Sequence, residues 1–181
     1  MKQALLIIDV QNDYFEGGKS QLFRSSEALV NIEKILAVFR QKKLPVIHIQ
    51  HINEPGSSFF LPDTFGAQIH EKLIPLENEY HLIKHMPSGF LGTDLEKLLK
   101  ENEITDIIIC GMMSHMCVDT TTRACQDFGF NVTLLDDACA TKDLKYNNEI
   151  IPAETVHKTF MASLNGVFAN VIKTSELKVF N

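Results

Sequence analysis

Two short apolar runs restrict this chain to a small set of folds. Residues 4–8 read Ala-Leu-Leu-Ile-Ile and residues 107–110 read Ile-Ile-Ile-Cys, with no charged side chain in either run. Such runs are typical of strands buried on both faces, as in a parallel sheet covered by helices. Strand and helix patterns alternate along the rest of the chain. We therefore predict a three-layer α/β/α Rossmann-like fold with a six-stranded, mostly parallel sheet.

Length and composition limit the class of protein. A chain of 181 residues is expected to form one domain, residues 1–181. The net charge is −6 and no Lys/Arg cluster stands out, which argues against a nucleic-acid partner. No apolar run is long enough to cross a membrane, and the N-terminus is typical of a first strand, so we expect a cytoplasmic protein without a membrane partner. The cysteines have no zinc-like spacing and are predicted to be free thiols.

The second apolar run leads into the stretch with the most chemical content. The run ends at Gly111, and a helical pattern begins at about Cys117. Open α/β sheets bind ligands where a strand ends and a helix starts. The helix macrodipole favours negative charge there, so the Cys117 thiol is predicted to ionise more easily, and free N–H groups can hold an oxyanion. A buried structural cysteine explains the same residue equally well.

Two further strand ends carry charged residues. Asp9 follows the first strand, and Lys84 follows a short strand at residues 81–83. A buried lysine needs a partner, and Asp9 can be that partner. A cysteine nucleophile needs a base and a positive neighbour, both of which Lys84 can supply. Asp9, Lys84 and Cys117 are therefore predicted to meet, with Asp9 orienting the lysine and carrying the proton.

The segment from 50 to 79 contains no long regular element. Structureless loops longer than about 12–15 residues are usually binding loops or lids rather than plain connectors. His51 comes at the end of the second predicted strand, next to this segment. It can face the same crevice as the other strand ends or serve a structural role.

Four motifs resemble those of one known family. In chain order they are Asp9–Phe15, Lys84–Leu95, Gly111–Ala124 and Asp136–Thr141. With these motifs the chain resembles the isochorismatase-like cysteine hydrolases, a group that includes nicotinamidases and N-carbamoylsarcosine amidases. The resemblance covers essentially the whole chain. No single motif is unique to the family, but four in the family's order are highly specific.

The resemblance implies roles for individual residues. In that family an Asp, a Lys and a Cys form the catalytic triad, which implies Asp9, Lys84 and Cys117 here. The family also has a non-proline cis peptide, implied here between Met112 and Met113. The backbone N–H groups of Met113 and Cys117 would then form the oxyanion hole, where each donor typically contributes about 3 kcal/mol to lowering the barrier.

The chain departs from nicotinamidases at their metal site. Those relatives carry an Asp-x-His-x-x-x-His pattern after the second strand, whereas residues 51–56 read His-Ile-Asn-Glu-Pro-Gly and no second His follows at a suitable spacing. Nothing in that stretch offers Zn²⁺ three good ligands. We therefore predict no metal, no other cofactor and an activity different from that of a nicotinamidase.

The motifs lead to one principal hypothesis and two alternatives. The principal one is a cysteine-dependent hydrolase of a small amide, imide or carbamoyl compound, acting through a thioester. The alternatives are an isochorismatase-type vinyl ether hydrolase and a non-catalytic binding protein that keeps the fold. The partner is then a small-molecule substrate, and by resemblance we expect a homo-oligomer, dimer or tetramer. The residues predicted to contact the substrate are Gln11, Phe15, His51, Phe59, Phe90 and His115.

Overall fold

The computed structural model describes residues 2–179 and contains a central six-stranded sheet. In chain order the strands of this sheet are β1 (Gln3–Ile8), β2 (Val46–His51), β3 (Tyr80–Lys84), β4 (Asp106–Met112), β5 (Asn131–Ala140) and β8 (Asn170–Ile172). Between β5 and β8, the strands β6 (Leu144–Tyr146) and β7 (Glu149–Ile151) form a separate hairpin. The strand order is β3-β2-β1-β4-β5-β8, and every neighbouring pair is parallel. The α/β fold with a six-stranded parallel sheet, predicted from the alternating pattern, is confirmed.

Within the described residues, four α-helices flank the sheet: α1 (Ser25–Lys42), α2 (Leu95–Glu101), α3 (Asp119–Asp127) and α4 (Ala153–Leu164). The side chains of β1 alternate between two core clusters, because successive residues of a strand point to opposite faces. One cluster contains the apolar stripe of α1, and the other contains residues of α2, α3 and α4. None of the helices within residues 2–179 combines the length and apolar character needed to cross a membrane.

Strand β4 extends further than the sequence predicts. It continues through Gly111 to Met112, whereas we expected a turn at Gly111. Gly111 has φ +128°, and a Cβ atom placed on it would lie 2.1 Å from the backbone oxygen of Ile8. Only a glycine lets β4 approach β1 so closely at this end of the sheet.

The long segment between β2 and β3 is irregular, as expected, but firmly anchored at its C-terminal end. The Glu79 carboxylate accepts hydrogen bonds from Arg40 Nε at 2.7 Å and Nη2 at 2.9 Å and from the backbone N–H of Leu76 at 2.9 Å. It also lies 2.9 Å from the Nε2 atom of the buried His48. Burial alone would raise the pKa of Glu79, but these hydrogen bonds lower it to about 2. The anchor fixes the segment against α1 and β2.

The hairpin of β6 and β7 was not predicted. Its two strands pair antiparallel outside the main sheet, and Asn147 and Asn148 form the turn, both with positive φ. Two consecutive residues with positive φ are typical of a two-residue hairpin turn, and asparagine tolerates this conformation better than most residues. The Asn-Asn pair was therefore a signal that the sequence analysis missed.

Candidate active site

Three side chains from different strand ends meet at the carboxyl edge of the sheet. Asp9 follows β1, Lys84 is the last residue of β3, and Cys117 lies in the segment that joins β4 to α3. Their exposed fractions are 0%, 1% and 4%. Because parallel strands end at the same edge, residues far apart in sequence converge there. The meeting of these three residues agrees with the sequence-based prediction.

Lys84 lies at the centre of the cluster. Its Nζ atom is 2.8 Å from Asp9 Oδ2, 3.2 Å from Cys117 Sγ and 2.7 Å from His51 Nδ1. It also donates to the backbone oxygen of Met86 at 3.1 Å. A buried ammonium is tolerated only with a counter-ion and hydrogen-bond acceptors around it, and these contacts supply both.

Asp9 is held in an unusual conformation. Its φ is +52°, in the left-handed region that a non-glycine residue rarely adopts. Oδ2 forms an ion pair with Lys84 at 2.8 Å, and both carboxylate oxygens are buried without a hydrogen bond of regular geometry within residues 2–179. An unpartnered buried carboxylate oxygen is costly and is commonly found where a proton has to be accepted.

Cys117 lies inside a helical turn, not at its beginning. The segment Ser114–Val118 forms a π-helical turn, in which the N–H of Val118 donates to the oxygen of Met113 at 3.3 Å. The prediction of a helix that begins at Cys117 is therefore wrong by three residues. A single π-turn next to a helix is frequent at functional sites, and here it directs the sulfur toward Lys84.

The electrostatic surroundings of the thiol also differ from the prediction. Burial raises the pKa of the Cys117 thiol well above its usual value, and the negative charge of Asp9 raises it further. Lys84 acts in the opposite direction but does not outweigh the other two effects. The expectation that the helix macrodipole lowers the pKa of this thiol is not met, because burial and Asp9 raise it.

The sulfur opens onto a cavity of about 230 Å³. The peptide bond between Met112 and Met113 is cis, and Met113 forms part of the cavity wall. Aromatic and thioether side chains make up most of the surface. The lining residues are Tyr14, His51, Asn53, Phe59, His85, Pro87, Met113, Met116 and Cys117.

His51 and Phe59 are the two predicted substrate-contacting residues that line this cavity. Gln11, in contrast, lies behind it and is fully buried. Its Nε2 donates to the backbone oxygens of His51 at 2.8 Å and Ala67 at 2.7 Å, and its Oε1 accepts from the N–H of His51 at 2.8 Å. Gln11 therefore joins β2 to the irregular segment, which corrects the prediction that it contacts substrate.

The other three predicted contacts also lie outside the cavity wall. The ring of Phe15 packs on His70 with a centroid distance of 4.5 Å, and that of Phe90 packs on Phe128 at 4.7 Å. His115 points away from Cys117, since its Nδ1 hydrogen-bonds the Thr141 hydroxyl and its ring faces Phe160 on α4. The prediction that Phe15, Phe90 and His115 line the pocket is corrected accordingly.

Tyr14 and Met116 are cavity residues that the sequence analysis missed. Each is a close neighbour in sequence of a residue that was selected: Tyr14 precedes Phe15, and Met116 follows His115. A short 3₁₀ turn at Asn12–Tyr14 and the π-turn at Ser114–Val118 decide which neighbour faces the cavity. Neither turn has a clear periodic signal, so the correct neighbour could not be identified from the sequence.

A set of metal-ligand types is present in the same cluster. Asp9, His51 and Cys117 each offer one potential ligand atom, and these three atoms lie within 4.8 Å of one another. Neither the cysteine spacing nor residues 51–56 indicated this set, because its three members are far apart in the sequence. All three residues contact the ammonium of Lys84, which occupies the position of a cation among them. A metal ion would have to displace that ammonium or lie against it, so this donor set fits the lysine better than a metal.

Comparisons with known proteins agree with this geometry. Residues 3–176 match the family model of the isochorismatase domain. YddQ of Bacillus subtilis (strain 168), an uncharacterized isochorismatase family protein, is 48% identical over 177 residues, which cover 97% of this chain and 98% of YddQ. A streptothricin hydrolase from Streptomyces noursei is 33% identical over 142 residues, which cover 78% of this chain and 51% of that enzyme.

A solved structure gives the same assignment. The crystal structure of an isochorismatase from Pseudomonas putida KT2440 superposes with a TM-score of 0.92 at 38% sequence identity, covering 97% of this chain and 90% of that chain. Fold similarity and sequence similarity therefore agree along nearly the full length of the chain. The chain belongs to the isochorismatase family of hydrolases.

Proposed function

We propose that this protein is a cysteine-dependent hydrolase that cleaves a small amide, imide or carbamoyl compound through a thioester intermediate. The observation that carries the proposal is the buried Asp9–Lys84 ion pair in contact with Cys117 Sγ at the base of a cavity. These three groups supply a proton acceptor, a fixed positive charge and a nucleophile. The similarity to a streptothricin hydrolase supports a hydrolytic role.

The first step activates the nucleophile. The substrate carbonyl enters the cavity next to Cys117, whose raised pKa keeps the proton on sulfur until then. The thiol proton passes to the Asp9 carboxylate as the sulfur attacks the carbonyl carbon and a C–S bond forms. The negative charge that develops on the carbonyl oxygen is stabilised by the backbone N–H groups of Met113 and Cys117, each worth about 3 kcal/mol of barrier.

The second and third steps release the products. The tetrahedral species collapses, the C–N bond breaks, and the leaving nitrogen takes the proton from Asp9 and departs as ammonia or an amine. Water then attacks the thioester while Asp9 accepts one of its protons. The C–S bond breaks, the sulfur recovers that proton, and the carboxylic or carbamic acid leaves. Lys84 contacts both groups and holds Asp9 and Cys117 in position.

His51 supports this arrangement through its hydrogen bond with Lys84. Burial and the neighbouring Lys84 charge lower the pKa of His51, so its ring is neutral at pH 7. Its Nδ1 accepts from Lys84, while its Nε2 lies 2.8 Å from Asn53 Oδ1, which can only accept a hydrogen bond. The amide of Asn53 thereby fixes the ring in the tautomer that presents a lone pair to the lysine.

Ammonia release from a panel of small primary amides and carbamoyl compounds, together with release of a new carboxylic acid from imides, tests the proposal, with no metal added. We expect release by the unmodified protein and a loss of at least about 10³-fold in Cys117→Ala, the scale seen when a nucleophile is removed. Cys125→Ala is the matched control, because Cys125 is also a buried free cysteine but does not line the cavity. Equal activity in Cys117→Ala would contradict the proposal.

A further inference from the structure

We infer that the cavity selects uncharged substrates whose non-reacting end is apolar, and rejects analogues that carry a carboxylate beside the reacting amide. This inference deepens the proposed function and rests on it. It comes from what surrounds the sulfur, namely a small, mostly apolar cavity whose wall, as formed by residues 2–179, contains no lysine or arginine side chain.

The apolar surface decides what the non-reacting end of a substrate meets. The cavity of about 230 Å³ is lined by the rings of Tyr14 and Phe59 and by the side chains of Pro87, Met113 and Met116. Such surfaces bind aliphatic or aromatic groups by excluding water. A carboxylate placed there would lose its hydration without gaining a counter-ion, which is unfavourable.

Three of the polar lining side chains already form hydrogen bonds within the protein. The ring nitrogens of His51 lie within hydrogen-bond distance of Lys84 and Asn53. The Asn53 side chain accepts from His51 and donates to the backbone oxygen of Phe59 at 2.9 Å. His85 Nδ1 lies 2.8 Å from the oxygen of Ile52. The Tyr14 hydroxyl and the second ring nitrogen of His85 remain to hydrogen-bond a substrate, but neither belongs to a lysine or arginine that could balance a carboxylate.

The positive charge nearest the sulfur, that of Lys84, is not available to bind an anionic substrate either. Lys84 is only 1% exposed, and Asp9 neutralises it at 2.8 Å. Moving the thiol proton from Cys117 to Asp9 leaves the net charge of the cluster unchanged, so the reaction creates no cation that could attract a nearby carboxylate. The site therefore discriminates against carboxylate-bearing substrates because Asp9 already pairs with Lys84 and no other cation is available in the cavity wall formed by residues 2–179.

Alkylation of Cys117 measures this discrimination without any turnover. Iodoacetamide and iodoacetate are nearly equal in size, and in both the sulfur displaces iodide to form a thioether and the thiol proton is lost. We would measure the labelling rate at Cys117 by mass spectrometry and divide the iodoacetamide rate by the iodoacetate rate. We expect this ratio to exceed that of free glutathione by about tenfold or more. A ratio equal to that of glutathione would overturn the inference.

A charge placed in the wall should reverse the preference. Met116 lines the cavity and is 40% exposed, so Met116→Lys adds a cation there with little risk to folding. We expect it to lower the alkylation ratio at least about threefold by offering the anion a partner. Val167→Lys is the control, because Val167 is 69% exposed, lies outside the cavity and gives the same change of net charge. Equal effects of the two variants would overturn the inference.

Turnover separates this inference from the proposed function. Butyramide and succinamate have chains of the same length and differ in a terminal methyl or carboxylate group. If the inference holds, kcat/KM for butyramide exceeds that for succinamate by about tenfold or more, and equal values contradict it. If no neutral amide is hydrolysed but the alkylation ratio and its response to Met116→Lys persist, the proposed function fails and the selectivity of the cavity stands.

Discussion

His51 Nδ1 lies 2.7 Å from Lys84 Nζ, and the lysine also contacts Asp9 and Cys117. The position of His51 at the end of β2, between β1 and β3, makes this contact possible. The histidine therefore acts on the cluster through the lysine and also lines the cavity. Its position at a strand end let the sequence suggest that His51 faces the crevice, whereas its contact with Lys84 depends on the tertiary structure.

Replacement of His51 by phenylalanine should reduce kcat by about 10–100-fold, because a hydrogen bond to a charged group is typically worth about 1.5–3 kcal/mol. KM should change less, since the substrate meets mainly the apolar wall. His85→Phe is the matched control, because His85 lines the cavity without contacting Lys84. Steady-state kinetics on a substrate from the panel provide the measurement. A His51→Phe effect confined to KM would show that His51 only binds substrate.

The pH dependence of Cys117 labelling follows from its raised pKa. A thiol whose pKa lies above the usual value stays protonated at neutral pH, so its labelling rate should rise about tenfold per pH unit from pH 7 to pH 9 without a plateau. Lys84→Met should slow labelling further, because Lys84 lowers the thiol pKa. Iodoacetamide labelling resolved by peptide mass spectrometry checks both points. A plateau below pH 7 would mean that a thiolate is stable without a ligand.

The sheet and the meeting of Asp9, Lys84 and Cys117 were predictable because both depend on strand ends. Apolar runs mark the strands, and the residue after a parallel strand lies at the ligand-binding edge wherever the strand falls in the sequence. The cavity wall depends instead on short irregular turns. The turn at Asn12–Tyr14 brings Tyr14 rather than Phe15 to the site, and no local pattern distinguishes the two.

The thiol pKa was mispredicted for a different physical reason. The helix macrodipole was inferred from the sequence, but the burial of Cys117 to 4% exposure and the nearby Asp9 charge depend on the tertiary structure. Desolvation opposes the dipole and outweighs it here. A sequence can place a cysteine near a helix start, but it does not reveal how much water reaches the sulfur.

The close approach of β4 to β1 makes Gly111 intolerant of any side chain. In Gly111→Ala the new Cβ would overlap the backbone oxygen of Ile8, so we expect a loss of more than about 3 kcal/mol of unfolding free energy or a failure to fold. Gly129→Ala is the control, since Gly129 also has positive φ but nothing lies within 4 Å of the added atom. There only backbone strain remains, about 1 kcal/mol. Urea unfolding compares the two, and equal losses would contradict the packing argument.

The Glu79 anchor should make stability depend on acid. The pKa of Glu79 is lowered from 4.5 to about 2 in the folded protein, so its contribution is fully present above pH 4.5 and is lost as the pH falls toward 2. Glu79→Gln should therefore destabilise the protein by roughly 2–3 kcal/mol at pH 7 and by much less at pH 2.5. Glu77→Gln is the matched control, because Glu77 is an exposed neighbour on the same segment. Urea unfolding at both pH values measures the difference, and a Glu79→Gln effect of equal size at both would show that the ion pair with Arg40 is not its source.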